Sequence, residues 1–233
     1  ADVHEGLLGD TDLTFTGEMP FDKVDVVFFC FGHGKSEQFL KEHEIPAHVK
    51  IIDLAQDFRL KGEHDYVYGL PEINKAKIAQ CQHLANPGCF ATCIELGLLP
   101  LAKEHLLKGD VSVNAITGST GAGVKPQAAT HFSWRNDNMS IYKPLEHQHL
   151  PEIIQSIKQL QPDYSGEIDF IPYRGGFARG IFATIVVKCD LDIETLYKLY
   201  ESYYERDSFT HIVNIPVDLK QVVNTNKCLI HLE

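Results

Sequence analysis

Residues 24–31 read VDVVFFCF, a run that is apolar except for Asp25 and that decides the fold class of this chain. A strand that is covered by helices on both faces of a parallel sheet has this pattern. A glycine-containing turn at 32–34 follows, then a helical pattern over 35–43 and a second strand-like run, VKIIDL, at 49–54. This strand–helix–strand order predicts an α/β layer built on a parallel sheet.

The second half of the chain has a different pattern. Residues 111–117 alternate between apolar and polar side chains, as half-buried strands do. Further strands are predicted at 167–172, 181–189, 212–217 and 227–232, with helices at 151–160 and 193–205. Several strands with few helices between them predict antiparallel pairs. We therefore predict two domains, an α/β domain at 1–87 and an α+β domain with a mixed or antiparallel sheet at 88–233.

The composition favours a reduced, cytoplasmic protein that acts on small molecules. The net charge of −11 argues against a nucleic-acid partner, which needs a basic surface. No apolar run reaches the roughly 20 residues of a membrane helix, so we expect no membrane contact. Six cysteines without the spacing of a disulfide framework indicate free thiols.

The stretch NPGCFAT, residues 86–92, places Cys89 between a turn and a helical pattern that runs from Ala91 to Leu107. Backbone N–H groups and the helix dipole favour an anion at a helix N-terminus. We therefore expect a depressed pKa at Cys89 and a nucleophilic thiolate. A buried structural cysteine is the alternative.

Two histidines, His147 and His149, are candidate partners of that thiolate. Residues two apart in an extended segment point the same way, so both could face one site as acid/base and substrate contact. Surface positions are the alternative. Cys89, Cys93 and the two histidines also offer four zinc-type ligands, but there is no CxxC pair and we predict no metal.

Several residues are candidates for binding anions. The loop GSTGAG at 118–123, followed by Lys125, could present backbone N–H groups to an anion. Arg59 follows a strand end, where α/β sites form, although an ion pair with a nearby aspartate is the alternative. Arg174 and Arg179 lie in a glycine-rich turn. Gly32 and Gly34 form half of a dinucleotide-binding fingerprint.

Taken together, these blocks resemble the N-acetyl-γ-glutamyl-phosphate reductases, NADP-dependent enzymes of arginine biosynthesis. Five blocks occur in the family order between residues 53 and 184. They are NPGCFAT, DLAQDFRL (53–60) with YGLPE (68–72), GSTGAG with its following lysine, HQHLPEI (147–153) and ARGIFAT (178–184). Each block alone is a weak indication, and five in order make a chance match very improbable.

The resemblance implies a fold and a reaction. The fold would be a partial Rossmann-type dinucleotide-binding domain followed by a catalytic domain like those of semialdehyde and glyceraldehyde-3-phosphate dehydrogenases. NADPH would reduce an N-acyl-γ-glutamyl phosphate, a small-molecule acyl phosphate, to the semialdehyde through a thioacyl intermediate. The protein would be a homodimer or homotetramer.

The resemblance also implies site residues. Cys89 would be the nucleophile, with His149 favoured over His147 as the acid/base. The implied substrate contacts are Arg59, Ser119, Gly121, Gly123, Lys125 and Arg179, and the implied cofactor contacts are Gly32, His33, Gly34 and Pro87.

This sequence departs from the family pattern at three places. The opening strand with its glycine-rich turn and the closing helix of the family are not in the chain, which we therefore expect to be a fragment that binds NADPH poorly. Residues 174–177 also differ from the usual pattern. The alternatives are an aspartate-semialdehyde dehydrogenase, a cysteine hydrolase or acyltransferase without nicotinamide, and an inactive remnant.

Overall fold

The computed structural model describes residues 5–7 and 9–233. The helices are α1 (Ser36–Glu42), α2 (Pro71–Ile78), α3 (Cys89–Lys103), α4 (Phe132–Arg135), α5 (Leu150–Leu160) and α6 (Ile193–Tyr204). The strands are β1 (Val26–Phe29), β2 (Lys50–Asp53), β3 (Val67–Tyr68), β4 (His83–Ala85), β5 (Val111–Thr117), β6 (Ser140–Ile141), β7 (Ile168–Arg174), β8 (Ile181–Val186), β9 (Thr210–Ile212) and β10 (Cys228–Ile230).

The first half of the chain forms a parallel sheet with the order β1-β2-β4-β3. This confirms the predicted α/β layer. Because all four strands run the same way, their carboxyl ends meet at one edge. The segments after β1, β2 and β4 therefore emerge side by side, and the last of them leads into Cys89.

Strand β1 differs from the expectation of a strand buried on both faces. Phe29 is 3% exposed, but Val26 and Phe28 on the opposite face are 41% and 61% exposed. The physical reason is coverage, since no element within the described residues buries the Val26–Phe28 face of β1. An apolar run alone does not tell whether both faces of a strand are covered.

The second half contains a mixed sheet with the order β6-β7-β5-β8. Strands β5 and β7 are parallel, whereas β5–β8 and β6–β7 are antiparallel pairs, as predicted. Helices α3 and α5 pack against each other, α3 contacts β8, and α5 contacts β7, so the pair covers one face of the sheet. Strands β9 and β10 form a separate parallel pair beside α6.

Helix α3 is the centre of the core. Ile94, Leu98 and Leu99 on this helix are fully buried, as is Phe170 of β7. Each such side chain contributes about 1.5–3 kcal/mol through its removal from water. This burial fixes the helix that carries Cys89 at its first position.

Three short elements were not predicted, namely β3, β6 and α4, which have two to four residues each and are too short to show a periodicity. Residues 1–20 showed no first strand in the sequence. Residues 9–20 contain none, and 1–4 and 8 lie outside the described residues. Across the described part of the chain, no helix has the length and hydropathy to cross a membrane.

Candidate active site

Cys89 lies at the first position of α3, as its sequence predicts. Gly88 precedes it with extended backbone, φ −69° and ψ 147°. The N–H of Asn86 donates to Asp53 O at 2.8 Å, which continues the pairing of β4 with β2 up to the turn. The proline at 87 cannot extend the strand pairing, so the chain turns directly from the sheet into the helix.

The expected depression of the Cys89 pKa is not found. Burial raises the pKa of the thiol, and the smaller opposing effects come from the N–H groups of Phe90 and Cys89 and from the charge of Arg59. Cys89 is an exposed residue by solvent accessibility, and the desolvation comes from the protein atoms packed around its sulfur. The helix N-terminus therefore favours the thiolate less than desolvation disfavours it. Without substrate, Cys89 is a thiol that needs a base.

His147 and His149 lie together at the start of α5, with ring centroids 4.6 Å apart. Both are buried, and Phe90 on α3 packs against both rings. The two rings lie together, as predicted, but the reasoning behind that prediction was wrong. His149 has helical backbone, φ −86° and ψ −10°, so the segment is not extended there.

The ring of His149 lies directly on the turn that leads to Cys89. A Cβ added to Gly88 would be 2.4 Å from His149 Nε2, a distance that side chains do not tolerate. The N–H of Ala91 donates to His149 Nδ1 over 3.4 Å. Glycine at position 88 is thus required for close approach, and the imidazole lies against the first turn of α3.

Both histidines are uncharged at neutral pH. Burial lowers the pKa of His147 to about 4, helped by the charges of His149, Lys143 and Arg174. Burial also lowers the pKa of His149 to about 4, helped by Arg59 and His33. His147 Nδ1 accepts from the N–H of His149 at 3.2 Å, so its proton is on Nε2.

Arg59 and Glu152 form a buried ion pair behind the histidines, with Arg59 Nη1 3.1 Å from Glu152 Oε1. The guanidinium also donates to Asn86 O at 2.8 Å and Leu54 O at 3.0 Å. With three donors occupied, Arg59 is placed to hold the turn after β4. Its predicted contact with substrate stays a prediction, and an ion pair with Asp53 or Asp57 is not what the structure shows.

Glu152 connects several parts of the site. Its Oε2 accepts from the N–H of Gly88 at 2.8 Å, and its Oε1 lies 4.0 Å from His149 Nε2. One carboxylate on α5 thus contacts the turn before Cys89 and faces the imidazole. Glu152 was not predicted as a functional residue, although it lies inside the block HQHLPEI.

Tyr142 and Arg174 lie beside His147 in the candidate site. The guanidinium of Arg174 lies 4.5 Å from the centroid of the Tyr142 ring, which lies 5.6 Å from His147. Arg174 Nε is buried and has no hydrogen-bond partner among the described residues. Of the predicted anion-binding residues, Arg174 reaches the histidines through Tyr142, and Arg59 reaches them through Glu152. Nothing in the sequence indicated Tyr142.

The loop 118–123 does not present all its N–H groups to an anion as expected. The N–H of Gly118, Ser119 and Thr120 donate to the carbonyls of residues 180, 177 and 178. The loop is a 3₁₀ turn, Ser119–Ala122, attached to the segment before β8. The physical reason is proximity, because β5 and β8 are antiparallel neighbours and their ends meet.

The remaining predicted substrate residues, Gly121, Gly123, Lys125 and Arg179, lie on the surface around that loop. Neither Lys125 nor Arg179 forms an ion pair within residues 9–233. Their roles stay predictions.

The turn after β1 lies beside the histidines. An electrostatic interaction with His33 contributes to the low pKa of His149, so the two side chains are near each other. Gly34 has φ +81°, a conformation that glycine favours. Its N–H donates to Asp57 Oδ1 at 2.6 Å, and the N–H groups of Ser36 and Glu37 also donate to Asp57. These donors are therefore already occupied by a carboxylate.

Within the described part of the chain, no group of three or more His, Cys, Asp or Glu side chains could hold a metal ion. Cys89, Cys93, His147 and His149, which the sequence offered as four zinc-type ligands, are not among such groups. All six cysteines are free.

Comparison with known families gives two matches that together span most of the chain. The model described as "Semialdehyde dehydrogenase, NAD binding domain" matches residues 1–81. The model described as "Semialdehyde dehydrogenase, dimerisation domain" matches residues 89–233.

Curated relatives match over the full length of this chain. It is 65% identical over 233 residues to the N-acetyl-γ-glutamyl-phosphate reductase of Phocaeicola vulgatus, covering 100% of this chain and 72% of the relative. It is 64% identical to that of Bacteroides thetaiotaomicron, with the same coverage.

Solved structures show the same fold at low identity. The aspartate semialdehyde dehydrogenase II of Vibrio cholerae superposes with a TM-score of 0.67 at 16% identity, covering 92% of this chain and 70% of that one. The aspartate semialdehyde dehydrogenase of Francisella tularensis gives 0.66 at 13% identity, covering 91% and 73%.

Proposed function

Because this chain belongs to the semialdehyde dehydrogenase family, and within it to the N-acetyl-γ-glutamyl-phosphate reductases, we propose that Cys89 is its acyl-accepting nucleophile and His149 its acid/base. One observation carries this proposal. The imidazole of His149 lies on the turn before Cys89, so closely that position 88 accepts only glycine. Once the long 3.4 Å hydrogen bond from the Ala91 N–H to Nδ1 is released, a base so placed can accept the proton of a thiol whose pKa is raised by burial.

The acylation step follows from these groups. The sulfur of Cys89 attacks the γ-acyl carbon, the thiol proton passes to His149, and the bond to the phosphate oxygen breaks. The product is a thioester on Cys89 and free phosphate. In the free protein the low pKa of His149 opposes this proton transfer. A bound phosphate dianion favours the imidazolium and raises that pKa.

The second step reduces the thioester. NADPH, the cofactor of this reaction, supplies the hydride when it is bound. His149 or His147 would then give a proton to the acyl oxygen, take it back as the aldehyde leaves, and pass it to the departing sulfur, which restores the thiol of Cys89. His147 has its proton on Nε2 and is suited to donate a hydrogen bond to the acyl oxygen.

The carboxyl edge of the first sheet fits the nicotinamide end of the cofactor. Gly32 has no atom within 4 Å of where a Cβ would be, so the turn leaves open space. Phe31 and Leu54 there are each 39% exposed and offer apolar surface. We propose that Gly32, His33, Gly34 and Pro87 line this part of the cofactor site, with Gly34 contributing open space rather than its occupied N–H.

Arg174 is proposed to bind an anionic group of the substrate. Its Nε is buried and unpartnered within the described residues, and its guanidinium stands over Tyr142 beside His147. A carboxylate or phosphate oxygen would satisfy that donor.

We also propose that residues 1–87 form the cofactor domain and 88–233 the catalytic and oligomerisation domain of a homodimer or homotetramer. The face of the mixed sheet opposite α3 and α5 exposes Phe182 and Val186 of β8 and Ile141 of β6. A second copy would cover this apolar surface. Free cysteines support a cytoplasmic location.

The test is acylation of the protein without NADPH. Mixing it with N-acetyl-γ-glutamyl phosphate should release about one equivalent of phosphate in a burst and add one acyl group to the peptide that contains Cys89. Cys89→Ser should abolish both. Cys93→Ser is the matched control, one turn along the same helix, and should retain both. Phosphate release that persists in Cys89→Ser would refute the nucleophile.

His149→Asn and His147→Asn separate the two histidines. Loss of general-base catalysis should slow acylation by about 10²–10⁴-fold in the variant that lacks the base. We expect this loss for His149→Asn and a smaller one for His147→Asn. The reverse order would reassign the two roles.

A further inference from the structure

A buried chain of hydrogen-bonding groups lies behind the site, where β3, α3 and α5 meet. Tyr68 Oη lies 3.1 and 3.0 Å from the two carboxyl oxygens of Glu95 and 3.0 Å from Glu152 Oε2. The three residues are 7%, 0% and 2% exposed, so water does not separate them. The reaction as described uses Glu152 through its contacts but gives no role to Tyr68 or Glu95.

The protons shared by Tyr68, Glu95 and Glu152 can be counted. A tyrosine hydroxyl has one proton, so it can donate to one carboxylate and must accept from any second group. Two carboxylate anions cannot both be satisfied by Tyr68. One of the two glutamates therefore has a proton and donates it to Tyr68 Oη.

The surroundings identify which glutamate is neutral. Glu152 faces the guanidinium of Arg59 at 3.1 Å and accepts from the N–H of Gly88, which favours the anion. Glu95 forms no ion pair with any described residue. A buried carboxyl group without a cation stays protonated, because its ionisation in an apolar interior is costly.

The titratable groups around Glu95 agree with this assignment. They are Tyr68 from β3, Glu152 from α5 and Glu72 from α2, and the Ser156 hydroxyl on α5 is a further hydrogen-bond partner. Burial raises the pKa of Glu95 to about 8; hydrogen bonds from Ser156 and Tyr68 lower it, and the charges of Glu152 and Glu72 raise it further.

We propose that Glu95 and Tyr68 are positioning residues of this active site. The neutral carboxyl of Glu95 donates to Tyr68, whose hydroxyl donates to Glu152. Glu152 thereby stays the single anion that holds Arg59 and the Gly88–Cys89 turn. The inference rests on the proposed function, in which Cys89 and the histidine beside that turn perform the reaction.

A pH effect follows. When Glu95 ionises, Tyr68 has two anions to satisfy with one proton, and a second buried negative charge faces Glu152. Glu152 then loses a hydrogen bond and is repelled, and the turn before Cys89 loses its support. Acylation should therefore fall by about tenfold per pH unit above the pKa of Glu95, because each unit removes nine tenths of the protonated form.

The experiment is the pH profile of the phosphate burst, with N-acetyl-γ-glutamyl phosphate as substrate. Glu95→Gln keeps a donor for Tyr68 and an acceptor for Ser156 but cannot ionise. It should remove the alkaline decline. Glu95→Ala should slow acylation by about tenfold at every pH, since one hydrogen bond to Tyr68 is lost. If Glu95→Gln retains the acylation rate that Glu95→Ala loses, the hydrogen bond from position 95 is what matters, and not a charge there. Tyr68→Phe should slow acylation similarly.

Tyr200→Phe is the matched control. Its hydroxyl is buried and donates to Gly97 O on the same helix α3, but it does not contact Glu152. This change should lower stability and leave the pH profile unaltered. Infrared spectroscopy gives a readout besides activity, as the carboxylic acid band of the protein at pH 7 should disappear in Glu95→Gln.

The outcomes separate the two ideas. A burst that persists in Cys89→Ser would refute the proposed function. A burst that depends on Cys89 but declines identically in Glu95→Gln would overturn the positioning proposal alone. Absence of the infrared band at pH 7 would overturn it as well.

Discussion

The buried ion pair between Arg59 and Glu152 allows a double-mutant cycle with a sharp expectation. The variants are Arg59→Met, Glu152→Gln and the double change. The two side chains are 7% and 3% exposed with Nη1 and Oε1 3.1 Å apart. Removing either partner leaves the other charge buried and uncompensated, which costs about 3–5 kcal/mol.

The double variant should be nearly as stable as either single variant. It leaves no buried charge, and glutamine at 152 retains an oxygen for the N–H of Gly88. The two single costs should therefore exceed the double cost by about 3 kcal/mol, the coupling of the pair. Urea unfolding at pH 7 with constant m-values measures all four free energies of unfolding.

The pair Glu37 and Lys41 on α1 is the control. Its atoms are closer, 2.7 Å, but the side chains are 60% and 71% exposed. Its own cycle should give about 0.5 kcal/mol or less. A coupling below about 1 kcal/mol for Arg59 and Glu152 would refute the view that burial makes this pair a strong connection across the site.

Two further predictions concern stability at acid pH and assembly. Because the folded protein keeps His147 and His149 uncharged down to pH about 4 while the unfolded chain binds their protons near pH 6.5, stability is lost as the pH falls. The loss between pH 7 and pH 5 should be about 2 kcal/mol per histidine. His147→Gln should reduce it by that amount in urea titrations, and an unchanged slope would contradict the assignment. Separately, Val186→Lys, which places a charge on the open face of the mixed sheet, should lower the oligomer mass seen by analytical ultracentrifugation. The same change at the exposed Val124 should not, and equal effects would argue against that face as the interface.

Much of the fold followed from local patterns. The run VVFF at 26–29, the alternation at 111–117 and the apolar spacing of α3 predicted their elements, because periodicity reflects which face of an element is buried. The parallel first sheet and the mixed second sheet followed from element order. The exposure of one face of β1 did not, because coverage of a face depends on the neighbouring elements.

The sequence indicated the residues of the candidate site more than their arrangement. The order of motifs indicated Cys89, His147 and His149, and the turn at 86–88 indicated a helix start. The sequence did not reveal that burial outweighs the helix N-terminus at Cys89, since a pKa depends on desolvation by residues far along the chain.

Tertiary structure alone decided the long-range contacts. Glu152 meets Arg59 and Gly88 across 93 and 64 residues, and Tyr68 joins Glu95 to Glu152. It also showed that the N–H groups of Gly34 and of the first three residues of the loop after β5 are already occupied. A sequence records which hydrogen-bonding and ionisable groups a protein has. Which of them meet, and whether water is excluded when they do, depends on the packing of helices and sheets, and that packing sets their charges and their chemistry.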